Sequence, residues 1–211
     1  REFMASVLLY LGGAIFVPGR AFRRLAKERR RFAKGFRVVF LVGILYTLSA
    51  AGLAVSGALI PAPVFLPLDA HNYYFFEIFF ALPAFLLAWL AASAAGTLVS
   101  LVFRGRGGFK AAAAPWAFAF AGPSFLMWLP HAVFSGFLLL GMSQQEFMSY
   151  TADPGFLQTA FLIYQGLAAL LLAAGSVRAA AAGRSLRPVG ALLTGLFAAA
   201  VFGGIIGLVI R

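Results

Sequence analysis

The side chains of this 211-residue chain that could carry proton or metal chemistry are six acids and two histidines. Glu77 and His131 stand inside long apolar runs, where an ionisable group is costly enough to mark a functional position by default. As a pair, carboxyl and imidazole would neutralise each other across two helices, either tying them together or forming a station for a proton. Asp69-x-His71 with His131 would instead offer oxygen and imidazole ligands to a divalent metal. No helical ligand spacing such as His-x-x-x-His supports that, so no metal ligand is assigned, and Glu146 and Asp153 read as solvated loop residues. The chain has no cysteine, which removes disulfides, thiolate metal sites and cysteine nucleophiles. Nor does it contain a Gly-x-Ser-x-Gly elbow, a nucleotide loop ending in Lys-Ser/Thr, or a His-Glu-x-x-His pair. The expectation is a protein with no catalytic residues and no cofactor.

The elements that must position these groups are set by composition. Hydrophobic residues make up 63% of the chain and charged ones 11%, with a mean hydropathy of +0.95. A soluble domain of this size has too few polar residues here to cover its outside. Spanning about 30 Å of hydrocarbon takes about 20 apolar residues in a helix, and five stretches meet that length: 38–60, 73–103, 111–141, 156–177 and 189–210. Without alternation along them, and with open strand edges forbidden in lipid, all five are expected to be helices. The fold class is all-α: a polytopic membrane protein with five transmembrane helices.

Met4 reads as the natural start, and the apolar run 7–17 is too short to span, so it is expected to be interfacial or re-entrant. Pro18 and Gly19 then open a basic segment, 20–37, in which Phe22, Leu25, Phe32 and Phe36 fall on one helical stripe. Arg20, Arg23, Arg24, Lys27, Arg30, Arg31, Lys34 and Arg37 occupy the other faces. This predicts one amphipathic helix in the headgroup plane, phenylalanines down and cations outward, touching anionic lipid headgroups. The same cations would serve as a docking surface for an acidic protein partner. No recognition motif for nucleic acid accompanies them. The division expected is 1–37, a short apolar lead with a basic helix, and 38–211, the five-helix membrane domain.

Of 17 Lys and Arg, ten precede the first stretch, three (Arg104, Arg106, Lys110) fall between the second and third, and three (Arg178, Arg184, Arg187) between the fourth and fifth. Only Arg211 is left for the other side. By the positive-inside rule the N-terminus is expected in the cytoplasm and the C-terminus outside, and the net charge of +11 largely expresses that rule. Pro83 in the second stretch, and Pro115, Pro123 and Pro130 in the third, each remove a backbone donor. Broken helices of that kind would line a transport pathway, with kinked packing as the commoner outcome. Gly203-x-x-x-Gly207 offers a close-packing face through which a second copy would form a homo-oligomer.

Two phrases carry a family resemblance. One is Val17-Pro18-Gly19-Arg20-Ala21-Phe22-Arg23-Arg24-Leu25, after the short apolar lead. The other is Gly107-Gly108-Phe109-Lys110 leading into Ala114-Pro115 and Gly122-Pro123-Ser124-Phe125-Leu126. With five spans, this is similar to the bacterial branch of the Ypt-interacting protein (Yip) domain family. The resemblance implies a five-pass, non-enzymatic membrane protein. Eukaryotic members bind prenylated Rab-type GTPases and act between endoplasmic reticulum and Golgi; their Asp-Leu-Tyr-Gly-Pro motif does not occur in this chain. The expectation is a scaffold of a prokaryotic plasma membrane that organises the bilayer or recruits partners through its basic face. The alternative is a small transporter or channel for an ion, metal or lipid along the second and third spans, using Glu77 and His131.

Overall fold

A computed structural model describes residues 2–60, 68–152 and 155–210. Arg1, Asp153 and Arg211, charges read above, lie outside the described residues. Among these the chain is all helical, without strands: α1 (Glu2–Phe16), α2 (Pro18–Ala26), α3 (Arg31–Val55), α4 (Tyr73–Val102), α5 (Phe109–Leu139), α6 (Gln144–Ala152), α7 (Phe156–Arg184) and α8 (Pro188–Val209). Helices α3, α4, α5, α7 and α8, of 22 to 31 residues, are long and apolar enough to cross a membrane. The five stretches foreseen from hydropathy therefore exist, with shifted ends.

Those shifts have local causes. The first span begins at Arg31 rather than 38, because the helix runs on through Arg31, Lys34 and Arg37. It stops at Val55, before Gly57 takes φ +69°, a conformation that glycine adopts without steric cost. The fourth continues past 177 to Arg184, through an Ala-rich run of strong helix formers, and Ser185 ends it with φ +52°. Pro188 starts α8 at the first turn, where its missing N–H costs nothing. The boundary expected at 37 falls inside α3.

The five long helices close into a ring in which α3 packs on α4, α4 on α8, α8 on α7, α7 on α5, and α5 back on α3. Helices α1 and α2 pack on α5, and α2 also on α7. Residues 112–124 of α5 are consequently buried on every face. Its alanines and glycine let several helix backbones come close at once, and Trp116, Phe118 and Phe120 fill the space between them. At Gly195 of α8, an added Cβ would stand 2.4 Å from Cα of Val177, so only glycine permits this crossing of α7 and α8.

The prolines leave the spans continuous, in keeping with the packing outcome rather than the broken one. Helix α5 is continuous from Phe109 to Leu139 across Pro115, Pro123 and Pro130, and α4 is continuous across Pro83. Each proline deprives the carbonyl four residues earlier of its helical donor. Neighbouring α7 meets these carbonyls on α5: Gly183 comes against Ala111 O and Gly175 against Ala119 O, and the Tyr164 hydroxyl donates to Leu126 O. On α5 the freed groups face a protein neighbour.

The amphipathic surface helix expected over 20–37 is also corrected. It is two pieces, α2 and the first turns of α3, separated at residues 27–30, where a guanidinium N–H of Arg31 donates to Ala26 O. The apolar stripe is split accordingly. Phe22 and Leu25 are buried in the core, Phe32 lies tilted against Trp89 with ring centroids 5.3 Å apart, and Phe36 alone is well exposed. Helix α1 packs into the bundle. Its Tyr10 ring lies 5.8 Å from Phe118, and Ile15 packs at Gly122, well inside α5, before α2 turns back.

Candidate functional site

At the end of the bundle where α3, α5 and α8 begin, the cations are displayed by helices locked into the core. Phe22 and Leu25 anchor α2, which leaves Arg20, Arg23, Arg24 and Lys27 exposed. With Ala182 of α7 they line an open depression of about 480 Å³. A second depression, of about 250 Å³, lies between α2 and α7 and is lined by Gly19, Arg23, Arg178, Ala181 and Ala182. Arg30, Arg104, Arg106 and Lys110 are exposed at the same end.

Lys34 departs from its expected place on this surface. It is 7% exposed, paired with Glu28, and its Nζ lies 5.1 Å from the Tyr10 ring centroid. The Tyr10 hydroxyl donates to the same carboxylate. Burial opposes ionisation of Glu28, but the hydrogen bonds from Lys34 and Tyr10 outweigh it and hold the carboxyl below its ordinary range. Burial, together with the bond to Glu28, pushes the Tyr10 phenol up to about 12. The latch therefore joins α1, the 27–30 turn and α3.

Arg184 is the residue that sequence reasoning misplaced furthest, as a loop cation. It is 2% exposed, its Nε donates to Ser100 Oγ at 2.8 Å and an Nη to Gly105 O at 3.1 Å, and its own carbonyl accepts from Arg106 N at 2.9 Å. This clamp fixes the 103–108 turn, in which Arg104 takes φ +56°. Nothing in a linear pattern distinguishes it from Arg187, which is exposed three residues later.

The intramembrane pair converges on two tyrosines. Glu77 is fully buried, three residues after the buried Tyr74 on α4, while the His131 ring lies 5.7 Å from Tyr46 and 6.4 Å from Tyr74. The Nε2 of His131 has no hydrogen-bond partner, so that atom makes no tie to Glu77. Tyr46 is itself committed, donating to Ser124 O at 3.1 Å. Asp69 and His71 pair with each other at 3.7 Å in an exposed turn. Among the described residues no three His, Asp or Glu side chains come together as a metal site, so the Asp69, His71 and His131 ligand set is not assembled.

Five membrane-length helices and a buried carboxyl within one of them define an all-helical integral membrane protein. No protein-family model, curated protein or solved structure matches the chain.

Proposed function

We propose that this protein is a non-enzymatic membrane scaffold of the Yip type, held in a prokaryotic plasma membrane with its basic end in the cytoplasm. That end engages anionic lipid headgroups and recruits partners. The observation that carries the reading is the display of Arg20, Arg23, Arg24 and Lys27 on a helix whose opposite face, Phe22 and Leu25, is buried in the bundle. Cations fixed in place lose little freedom on meeting an anionic surface, and each is worth about 1 kcal/mol near such a leaflet. The test is lipid preference of the purified protein in nanodiscs of mixed phosphatidylglycerol and phosphatidylcholine. Neutralising Arg20, Arg23, Arg24 and Arg30 together should abolish enrichment of the anionic lipid while the helical content stays intact. Unchanged enrichment would remove the reading.

A second reading is favoured by the burial of Glu77 on α4, one helical turn from Tyr74, whose ring lies 6.4 Å from that of His131. It makes the protein a small transporter whose α4 and α5 carry a proton or another ion past that carboxyl. Proteoliposome flux lost in a Glu77→Gln, His131→Ala double variant would support it. A silent panel of protons, divalent metals and labelled lipids would exclude it.

A further inference from the structure

The groove between α2 and α7 has a feature that a merely basic surface does not require. Two guanidinium groups from different helices converge on one point: an ideal Cβ built on Gly19 would lie 3.2 Å from Nη1 of Arg178 and 3.9 Å from Nη1 of Arg23. Like charges so placed repel, and the described residues supply neither arginine with a carboxylate partner. The wall of the groove is Ala181 and Ala182, small side chains that leave room beside the charges. Helix α7, of 29 residues, is about 43 Å long, so about 7 Å overhangs a 30 Å hydrocarbon core at each end if it is centred. Arg178 stands about 9 Å from the Arg184 end, at the depth where hydrocarbon gives way to lipid phosphates. An exposed arginine on a spanning helix at that depth needs an anion or a route to water.

From this geometry we infer that Arg23 and Arg178 form a discrete site for the phosphodiester of an anionic glycerophospholipid. The phosphate accepts from both guanidinium forks and bridges α2 to α7. Guanidinium matches phosphate oxygens in two-point geometry, which an ammonium cannot do. The apolar remainder of the lipid lies along the outer face of α7, where Leu167 and Leu170 are exposed. The inference rests on the proposed function and deepens it from a diffuse basic surface to one headgroup position.

The test is native mass spectrometry of the full chain in neutral detergent, titrated separately with phosphatidylglycerol, phosphatidylcholine, inorganic phosphate and glycerol 3-phosphate. R23Q and R178Q should each weaken phosphatidylglycerol binding by at least about tenfold, and the double variant should lose little more than either. R29Q and R187Q, which remove exposed cations outside the groove, should stay within about twofold of the parent. Gly19→Ala, whose methyl displaces the Arg178 head, and Arg178→Lys, which keeps charge without the fork, should fall between; they keep the test decisive if R178Q misfolds. Parent-like binding in R178Q or Arg178→Lys overturns the site, as does an equal loss in R29Q and R187Q. Inorganic phosphate or glycerol 3-phosphate binding as tightly as the lipid overturns the lipid assignment. If the parent shows no preference for phosphatidylglycerol at all, the proposed function falls with the site. If R178Q is parent-like while neutralising Arg20, Arg24 and Arg30 abolishes the preference, only the site falls.

Discussion

The hydroxyl of Tyr164 on α7 donates to the carbonyl oxygen of Leu126 on α5, the acceptor that Pro130 deprives of its helical N–H. One side chain on a neighbouring helix thus completes the hydrogen bonding of a proline-containing span. Tyr164→Phe should lower stability by on the order of 1 kcal/mol, the range of interhelical bonds in membranes, read as a drop in Tm in detergent. In a Pro130→Ala background the helix regains its own donor, and the same change should cost much less. Equal costs in the two backgrounds would show that the bond does not serve the proline.

The latch of Tyr10, Glu28 and Lys34 makes stability depend on pH at both extremes. The Glu28 carboxyl is depressed in the folded state, so its contribution is complete above its ordinary value of 4.5 and is lost as pH falls through the lower folded value. The Tyr10 phenol is raised to about 12, so its contribution is complete below 10 and is lost as pH rises toward 12. Melting curves across pH should show Glu28→Gln flattening the acid limb and Tyr10→Phe the alkaline one. An acid limb unchanged in Glu28→Gln would assign the loss to other groups.

Arg184 is expected to behave as a structural clamp. Arg184→Lys keeps the charge but loses the fork that reaches Ser100 Oγ and Gly105 O, and it should cost about 2 kcal/mol. Limited proteolysis would then cut within 103–108 at protease levels that leave the parent whole. Ser100→Ala should produce a smaller shift, because the bond to Gly105 remains.

Glycine positions separate contact from open space. Gly195→Ala forces a methyl against the Val177 backbone and should destabilise by about 1–3 kcal/mol through overpacking. Gly204→Ala meets nothing within 4 Å and should be neutral or stabilising by up to about 1 kcal/mol, as a better helix former. Gly207 likewise meets nothing within 4 Å, whereas Gly203 lies against Leu172 of α7, so only the Gly207 end of the face expected to pair two copies is open. Cross-linking of cysteines introduced at 203 and 207 would show whether a second copy covers it.

The spans were legible because hydropathy over 20 residues is a sum that no single neighbour overrides. Roles that depend on one contact were not legible. Lys34 and Arg30 look alike along the chain, yet one is buried against Tyr10 and Glu28 while the other is exposed. Pro130 reads as a break until Tyr164, 34 positions later, supplies the missing donor. Phe22 and Leu25 read as lipid-facing because the stripe specifies only an apolar environment, which the faces of α5 and α7 satisfy as well as acyl chains do.

By itself the sequence determined the solvent: its apolar runs demand lipid, and in lipid such runs without alternation close their backbone hydrogen bonds only as helices. It also determined that the cations gather at one end, because charge cannot be left in hydrocarbon cheaply. The tertiary structure alone decided which of those cations are surface and which are struts, because burial of an arginine or lysine is a property of its neighbours. Convergence of Arg23 and Arg178 over Gly19 joins residues about 155 positions apart, a distance in the chain that only the packing of α2 on α7 closes.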